Sequence, residues 1–312
     1  MNSLPFDIDH VGVPPIKCQG IKTKLVPFIF SSVEWDPERS GRWIEPFLGS
    51  GVVALNLAPQ RALLADTNKH IIGFYQAIQS GELNGVAVRE YLTAEGERLS
   101  EQGERHYYEV RERFNENGSA FDFLFLNRAC FNGLVRFNRR GKFNTPFGHK
   151  PERFSRAYVT KIVNQVIWAA KQMQGKDWEF RVASWEEVLR EAQPDDFVYM
   201  DPPYIGRHTD YYNSWDGREA ERLAVISRGL PCGYALSMWL QNRHRRNEHI
   251  MDCWPGLEIR VCGHFYHVGS TETLRGEMDE ALVIRPGFAT PDRGKQLTRV
   301  VADEIPQLRL AV

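Results

Sequence analysis

Two stretches of the chain, from Arg42 to Gln79 and from residue 179 onward, alternate short apolar segments with segments typical of helices. The first stretch reads as a strand in RWIEPF, a turn in GSG, a helix in VVALNLA, a strand in RALLAD and a helix in NKHIIGFYQAI. In the second, EFRVA is typical of a strand, and the fully apolar FVYM is typical of a buried parallel strand. This alternation predicts an α/β fold with a doubly wound, mostly parallel sheet.

The region between the two stretches interrupts the alternation. It is acidic and helix-like at first, and it then becomes a loop rich in Asn, Arg and Gly. The second stretch continues with a helix in SWEEVLREA, where Ser184 and Glu187 have capping-box spacing, and with strands in YALSM, LEIRVC and EALVI. We therefore predict a discontinuous α/β domain over residues 1–70 and 150–290, a mainly helical insertion over residues 71–149, and a C-terminal tail over residues 291–312.

Charge is segregated along the chain, although the formal net charge is only −1. Residues 128–161 contain nine Lys or Arg residues and one acid, Glu152, so this window carries a charge of +8. The stretch before it, from Glu82 to Glu116, is rich in Glu. A basic segment within a nearly neutral chain indicates a surface for a polyanion such as a nucleic acid.

Neither a membrane span nor a secretory signal is evident in the sequence. No apolar run approaches the roughly 18 residues of a span, and MNSLPFDIDH lacks the pattern of a signal peptide. The five cysteines are scattered without a CxxC pair, which indicates reduced thiols. Cys253, Cys262, His264 and His267 are of the types that bind zinc, but their spacing fits no common zinc site, and positions beside a sheet edge explain them as well. We expect a cytoplasmic protein without a metal site.

The first motif with chemical meaning is the turn Glu45-Pro-Phe-Leu-Gly49-Ser-Gly51. Glycines after a buried strand let the backbone approach a ligand and open a helix whose N-terminus faces it. Asp66 follows at the end of the next strand, where a carboxylate can accept hydrogen bonds from ribose hydroxyls or cap the following helix. Gly49, Gly51 and Ala54 also satisfy a loose dinucleotide-binding fingerprint. The motif alone leaves open a nucleoside cofactor site, a dinucleotide site and plain architecture.

The second motif, Asp201-Pro-Pro-Tyr204, is far more specific. It directly follows FVYM and so lies at the carboxyl end of a buried strand, where ligands bind in open α/β sheets. Composition predicts this tetrapeptide in only about one in a thousand chains of this size. An Asp-Pro pair also favours a turn. A turn, however, requires neither the aromatic residue nor a place at the ligand-binding edge.

With these motifs the chain resembles the adenine-N6 DNA methyltransferases of the Dam type, the D12 class of the alpha group. The resemblance covers most of residues 13–285, and besides EPFLGSG and DPPY it includes PPIKCQGIKTKL, LLADTNKHII and NRACFNGLVRFNRRGKFNTPFG. The last of these follows the family's recognition-domain signature. The resemblance implies a Rossmann-like methyltransferase sheet with S-adenosylmethionine as cofactor, and residues 71–149 as a DNA target-recognition domain. The implied reaction is methyl transfer to N6 of an adenine in duplex DNA.

The resemblance also assigns roles to the residues of both motifs. Asp201, Pro202, Pro203 and Tyr204 are expected to hold a flipped-out adenine. The Asp201 carboxylate and the Pro202 carbonyl each accept a hydrogen bond from one N–H group of its amino group, and the ring of Tyr204 stacks on the base. The expected cofactor site consists of Lys22, Glu45, Phe47, Gly49, Gly51, Asp66 and Asp201.

The basic insertion is expected to bind DNA through phosphate contacts that offset the cost of flipping the base. The residues implied are Arg128, Phe131, Asn132, Arg136, Asn138, Arg139, Arg140 and Lys142. Phe131 fits either a wedge between base pairs or a core position, and Arg136 fits either a guanine edge or a phosphate. The run Arg243-His-Arg-Arg246 fits a second backbone contact or a solvated helix face.

The chain departs from the family's pattern near the cofactor. Cys18 stands where the family usually has Trp, Ile21 replaces a glycine, and Ser184-Trp185 stands where Asp-Phe is frequent. We expect a cofactor pocket of altered shape, in which Trp185 still covers the adenine of the cofactor.

Three alternatives remain on sequence alone: methylation of RNA or of a glutamine side chain, a dinucleotide-dependent oxidoreductase, and a non-catalytic DNA-binding relative. RNA and glutamine methyltransferases use similar tetrapeptides, more often with Asn first. The expected partners are duplex DNA and, functionally, a cognate restriction endonuclease. We expect a monomer or weak dimer and no membrane association.

Overall fold

A single sheet of eight strands forms the centre of the described structure. The computed structural model describes residues 3–39, 41–204, 215–242, 247, 249–254, 257–266, 276–291 and 298–300. The strands are β1 (Trp43–Glu45), β2 (Arg61–Asp66), β3 (Asp177–Val182), β4 (Phe197–Met200), β5 (Gly233–Asn242), β6 (Glu258–Tyr266), β7 (Gly276–Ile284) and β8 (Thr298–Val300).

The strand order across the sheet is β3-β2-β1-β4-β5-β7-β6-β8. Strands β1 to β5 run parallel to one another. β7 lies antiparallel between β5 and β6, and β8 is antiparallel to β6. The prediction of a doubly wound, mostly parallel sheet is confirmed. Strand β8 has no counterpart among the predicted strands and lies within the predicted C-terminal tail.

The described residues also form ten α-helices, and no helix among them is both long and apolar enough to cross a membrane. They are α1 (Val26–Ser32), α2 (Val52–Leu57), α3 (Lys69–Gln79), α4 (Gly85–Gln102), α5 (Glu104–Asn117), α6 (Ala120–Ala129), α7 (Arg156–Met173), α8 (Trp185–Arg190), α9 (Gly217–Arg228) and α10 (His249–Cys253). The predicted capping box of α8 is present, with Ser184 and Glu187 each bonded to the backbone N–H of the other.

Helices cover both faces of the sheet because successive side chains of a strand point to opposite faces. In β1, Trp43 packs in the core layer that contains α1, α2, α3 and α7, whereas Ile44 packs in the layer that contains α8, α9 and α10. Phe197 and Val198 of β4 divide between the layers in the same way. All four residues of β4 are therefore buried and apolar, as predicted for FVYM.

The insertion between β2 and β3 is mainly helical, as predicted, and a cluster of polar side chains joins its helices α4, α5 and α6. Arg113 of α5 donates from Nε to Oδ2 of Asp122 in α6 over 3.0 Å and from Nη2 to the hydroxyl of Tyr91 in α4 over 2.8 Å. Nε2 of His106 in α5 lies 2.6 Å from Oε2 of Glu95 in α4. These groups are paired within the insertion, as buried polar groups need to be.

Helix α3 is fastened to the sheet, although most of it falls within residues 71–149. Gln76 and Gln79 donate from Nε2 to the backbone oxygens of Phe180 and Trp178 in the edge strand β3, over 2.8 and 2.7 Å. The irregular segment that follows α6 and carries the basic residues ends at Ser155, whose side chain caps α7.

The chain after β7 returns to the core layer of α1. The ring of Phe288 lies 6.0 Å from that of Phe197, and the backbone N–H of Thr290 donates to the Ser32 oxygen over 3.0 Å. Nη1 of Arg260 in β6 donates to Oγ1 of Thr290 over 2.5 Å. These contacts support the position of β6 and β7 beside β5.

Candidate active site

The two sequence motifs lie side by side at the carboxyl edge of the sheet. β1 and β4 are parallel neighbours, with Trp43 paired to Phe197 and Ile44 paired to Val198. The glycine turn leaves β1 at the same edge at which Asp201 leaves β4. Ligands bind at this edge of an open α/β sheet.

Lys22 reaches this edge from the N-terminal segment. Its side chain is only 3 % exposed, and Nζ lies 2.8 Å from Oδ1 of Asp201. The same ammonium donates to the Gly20 oxygen over 3.1 Å and lies 4.7 Å from the centroid of the Tyr204 ring. Burial raises the pKa of Asp201, while the charge of Lys22 opposes that rise. The ion pair therefore fixes the Asp201 carboxylate beside the aromatic ring.

Tyr204 is also held at its far end. Its hydroxyl donates to Oε2 of Glu280 over 2.6 Å, and Glu280 is a buried residue of β7. The sequence interpretation named Tyr204 but missed Glu280. The only sequence signal was an acid directly before the apolar run ALVI, which does not reveal its partner.

Glu45 is a buried acid that lies close enough to Asp201 to feel its charge. Its Oε1 accepts a hydrogen bond from Nε1 of Trp43 over 2.7 Å. The pKa of Glu45 is raised to about 8, mainly by burial and to a smaller extent by the charge of Asp201, against the opposing effect of hydrogen bonds from Trp43 and the backbone of Ala54. Glu45 is therefore mostly protonated at neutral pH in the free protein. A cation bound beside it favours the ionised form.

The glycine turn and the end of β2 are bonded to each other. Asp66 accepts from the backbone N–H of Gly49 with Oδ2 over 2.9 Å and from that of Asn68 with Oδ1 over 2.8 Å. The reading of Asp66 as a helix cap is wrong, because Asn68 caps α3. Gly49 and Gly51 have φ of +50° and +65°, a left-handed backbone that favours glycine. A Cβ added at Gly49 would meet no atom within 4 Å, so the turn borders open space.

Aromatic rings line the α8 side of the same edge. The ring of Phe47 lies 5.5 Å from that of Trp215 at 89°, and Trp215 lies 6.4 Å from Trp185 at 70°. Trp215 also lines a cleft with Pro202, Pro203 and Tyr204. The sequence interpretation named Phe47 and Trp185 but missed Trp215, which lies outside every motif. These rings provide an apolar surface of the kind that an adenine or a flipped base needs.

Arg128 requires a correction, because the structure places it in the interior rather than on a DNA-binding surface. Its side chain is 4 % exposed. Nε donates to the Pro15 oxygen over 2.8 Å, and Nη2 donates to Oε1 of Gln165 over 2.6 Å. A guanidinium that is committed to these acceptors cannot reach a phosphate without breaking both contacts. Arg128 instead joins α6 to the N-terminal segment and α7.

The other residues named for DNA binding lie on the irregular segment after α6. Arg139, Arg140 and Lys142 are exposed, and Asn138 organises their turn, because its Oδ1 accepts from the backbone N–H of Arg140 and of Lys142 over 2.9 and 3.1 Å. Arg136 is half-buried and donates from Nε to Oδ1 of Asn144 over 3.2 Å.

Phe131 and Asn132 lie at the start of this segment. Phe131 is 47 % exposed, so the reading of Phe131 as a core residue is wrong. Asn132 has φ of +54° and is exposed. The pair therefore lies on the surface beside the basic turn, where it is available to a ligand.

Two features named from the sequence lie wholly or partly outside the described residues. The run Arg243–Arg246 lies outside them entirely, as does His267. Cys253 and Cys262 lie in α10 and β6. Within the described ranges, no three His, Cys, Asp or Glu side chains come together as a metal site.

Comparison with known proteins identifies one family. The family described as D12 class N6 adenine-specific DNA methyltransferase matches residues 19–258. The DNA adenine methylase of Salmonella typhi is 30 % identical over 264 residues, which cover 80 % of this chain and 88 % of that protein. The DNA adenine methylase of Vibrio cholerae serotype O1, strain ATCC 39541, is 33 % identical over 77 % of this chain and 86 % of its own length. That of Escherichia coli K12 is 33 % identical over 80 % and 88 %.

Proposed function

Since the chain belongs to the D12 class N6 adenine-specific DNA methyltransferases, we propose that it transfers a methyl group from S-adenosylmethionine to N6 of an adenine flipped out of duplex DNA. The observation that carries the proposal is the contact of Asp201 and Tyr204 with Lys22, beside the glycine turn of β1. Three parts of the chain that are distant in sequence meet there.

The chemistry follows from what Asp201 and Pro202 do to an amino group. The lone pair of an adenine amino nitrogen is delocalised into the ring, so the nitrogen is a poor nucleophile. The Asp201 carboxylate and the Pro202 carbonyl oxygen each accept a hydrogen bond from one of its two N–H groups. These bonds favour a tetrahedral nitrogen, whose lone pair is free to attack the methyl group. When bound, S-adenosylmethionine would supply the methyl group from its positively charged sulfur, which keeps the electron pair of the broken carbon–sulfur bond, so that neutral S-adenosylhomocysteine is the leaving group. The nitrogen becomes acidic once it is methylated, and only then loses its proton, so Asp201 need not be a strong base.

The charges of the site fit a cationic cofactor. Three buried or partly buried acids, Glu45, Asp66 and Asp201, lie at this edge with one lysine, Lys22, which pairs with Asp201, and burial raises the pKa of each acid. A sulfonium and an ammonium group offset this excess of acid. We assign cofactor contacts to Lys22, Glu45, Phe47, Gly49, Gly51, Asp66 and Asp201, with Trp185 and Trp215 as cover for the adenine of the cofactor.

The DNA surface is the segment from Phe131 to Lys142. Arg136, Arg139, Arg140 and Lys142 bind phosphates or a base edge, Asn138 shapes the turn, and Phe131 with Asn132 fills the space left by the flipped base. Arg128 is excluded from this set. We propose that the target-recognition insertion starts after α3, because Gln76 and Gln79 tie that helix to β3.

The proposal is tested by offering radiolabelled S-adenosylmethionine to the purified chain with mixed-sequence plasmid DNA, with RNA and with protein. The expected product is N6-methyladenine in duplex DNA, at one recurring sequence that mapping of the modified adenines reveals. The proposal is contradicted if the label enters only RNA or protein, or if none of the three acceptors is labelled. The Asp201→Ala variant serves as the negative control and should transfer no label to DNA above background.

The finer expectations on location and partners follow from this reaction. We propose that the protein acts in the cytoplasm, because it needs access to DNA and to S-adenosylmethionine. A monomer or weak dimer is tested by sedimentation of the purified chain. A functional link to a restriction endonuclease is tested by whether the mapped methylation protects that DNA sequence from cleavage in extracts of the source cells.

A further inference from the structure

Glu280 is a buried acid in a position where the fold alone needs none. It lies in β7 between Trp239 of β5 and Cys262 of β6, and it is 1 % exposed. The next four residues of β7, Ala281 to Ile284, are all buried and apolar. A buried carboxylate is costly unless it is bonded, so an apolar residue would serve the sheet better.

Glu280 is bonded to a residue of the active site. The Tyr204 hydroxyl donates to Oε2 of Glu280 over 2.6 Å, which is the length of a strong hydrogen bond to a charged acceptor. Glu280 is anchored in the centre strand of three, whereas Tyr204 lies in irregular backbone after β4. The rigid element therefore holds the irregular one.

This contact fixes the plane of the Tyr204 ring. The near end of the ring is attached to the backbone after Pro203, the far end is bonded to Glu280, and the ammonium of Lys22 lies 4.7 Å from the ring centroid. A ring that is already in place loses little freedom when a base stacks on it, and it presents the base at a set depth and tilt. A ring with only its backbone attachment has to be ordered by the base itself.

We infer that Glu280 is a positioning residue for methyl transfer, which holds the Tyr204 ring in the orientation that receives the flipped adenine. The inference rests on the proposed function, because it assigns to Glu280 a role in that reaction. Glu280 acts through Tyr204 and does not itself touch the adenine.

The test uses the full chain and a duplex with the adenine mapped in the previous experiment. Single-turnover methylation is measured for Tyr204→Phe, Glu280→Ala, Glu280→Gln and the double variant Tyr204→Phe/Glu280→Ala. We expect Tyr204→Phe and Glu280→Ala each to lose about 10- to 100-fold in rate, as removal of a hydrogen bond to a charged group does. The double variant should be no slower than the slower single variant, because both remove one interaction. Glu280→Gln keeps an oxygen acceptor and should recover most of the rate.

Two further readouts separate positioning from a general structural defect. With 2-aminopurine in place of the target adenine, Glu280→Ala should give a brighter flipped base than the wild type, since a loose ring stacks less well. The affinities for unmodified DNA and for S-adenosylhomocysteine should stay within about threefold of the wild type, because the phosphate and cofactor contacts lie elsewhere. Asp279→Ala is the matched control: it removes the neighbouring acid of β7, which bonds Gln241 over 2.8 Å, and should leave the rate unchanged.

Full activity of Tyr204→Phe overturns the inference, as does a double variant whose loss is the product of the two single losses. Should Glu280→Ala fail to fold, Tyr204→Phe and Glu280→Gln still decide the matter, since neither removes a buried volume. A wild-type chain that methylates no duplex overturns the proposed function as well. A wild-type chain that does methylate DNA, with Tyr204→Phe unimpaired, overturns this inference alone.

Discussion

The carboxyl edge of the sheet and the basic segment after α6 are built in opposite ways. At the sheet edge, the charged groups are buried or partly buried and are held by hydrogen bonds and ion pairs, as in the pair of Lys22 and Asp201 at 2.8 Å. On the basic segment, Arg139, Arg140 and Lys142 are exposed, and it is the backbone of their turn that Asn138 holds. The sheet edge therefore holds its side chains in fixed positions before any ligand binds. The basic segment instead has a fixed backbone turn with exposed charged side chains.

The difference matches what each region has to do. Methyl transfer depends on the placement of an amino group within a fraction of an ångström, so its acceptors have to be preorganised. Attraction to a phosphate backbone depends on the number of charges and little on their placement. We therefore expect substitutions at the sheet edge to change the rate of methyl transfer, and substitutions on the basic segment to change DNA affinity and its dependence on salt.

The largest effect is expected for Asp201→Ala. It removes one of the two acceptors of the target amino group, and methyl transfer should fall by about a thousandfold or more. DNA affinity should stay within about threefold, because the phosphate contacts lie on the basic segment. Single-turnover methylation and filter binding measure the two quantities. Asp177→Ala, an exposed acid at the amino end of β3, is the control and should keep the full rate.

If Asp201→Ala kept a rate near that of the wild type, methyl transfer would not depend on the carboxyl edge of the sheet. If this variant lost much of its DNA affinity, methyl transfer and DNA binding would not be divided between the two regions. Either result breaks the comparison.

The second effect concerns Arg128, where sequence pattern and structure disagree. Arg128→Met leaves the acceptors at Pro15 and Gln165 without their donor, so the free energy of unfolding should fall by about 2–4 kcal/mol. The salt dependence of DNA binding should not change, because the guanidinium lies in the interior. Urea unfolding and DNA titrations at several salt concentrations test the two statements. An unchanged stability together with a shallower salt slope would return Arg128 to the DNA surface.

Arg128 also marks the limit of what the sequence predicts. The fold and the meeting of the two motifs could be predicted, because they depend on strand alternation and on where parallel strands end. Arg128 belongs to the same basic run as Arg139, and no local pattern distinguishes a guanidinium bonded to Pro15 from one facing solvent. Glu280 and Trp215 were missed for a related reason: their partners, Tyr204 and Phe47, are distant in sequence.

The third effect is a pH dependence at the sheet edge. Burial raises the pKa of Glu45 from 4.5 to about 8. Between these values the unfolded chain has lost the proton and the native chain keeps it. The contribution of Glu45 to stability is therefore fully present below pH 4.5 and is lost as the pH rises through 8.

Glu45→Gln tests this contribution, because a glutamine resembles the protonated acid and still accepts from Trp43. Relative to the variant, the wild type should lose about 2 kcal/mol of unfolding free energy between roughly pH 6 and 8. Urea unfolding at each pH measures the difference. Parallel pH profiles for the two proteins would mean that Glu45 is already ionised, and Glu45→Asp, which still titrates, should keep a pH dependence of the same sign.

The smallest effect is expected on the basic segment, for the double variant Arg139→Ala/Arg140→Ala. If each arginine neutralises one phosphate, the slope of the logarithm of DNA affinity against the logarithm of salt concentration should become less steep by about 1.8. The loss of affinity should be about tenfold near physiological salt, and the single-turnover rate at saturating DNA should not change. Glu104→Ala/Glu109→Ala, which removes two charges from the acidic helix α5 of the same insertion, is the control and should leave the slope unaltered. An unaltered slope in the arginine variant would move the DNA surface off this segment. A reduced rate at saturating DNA would mean that the basic turn helps to place the base, and the division of labour between the two regions would then fail.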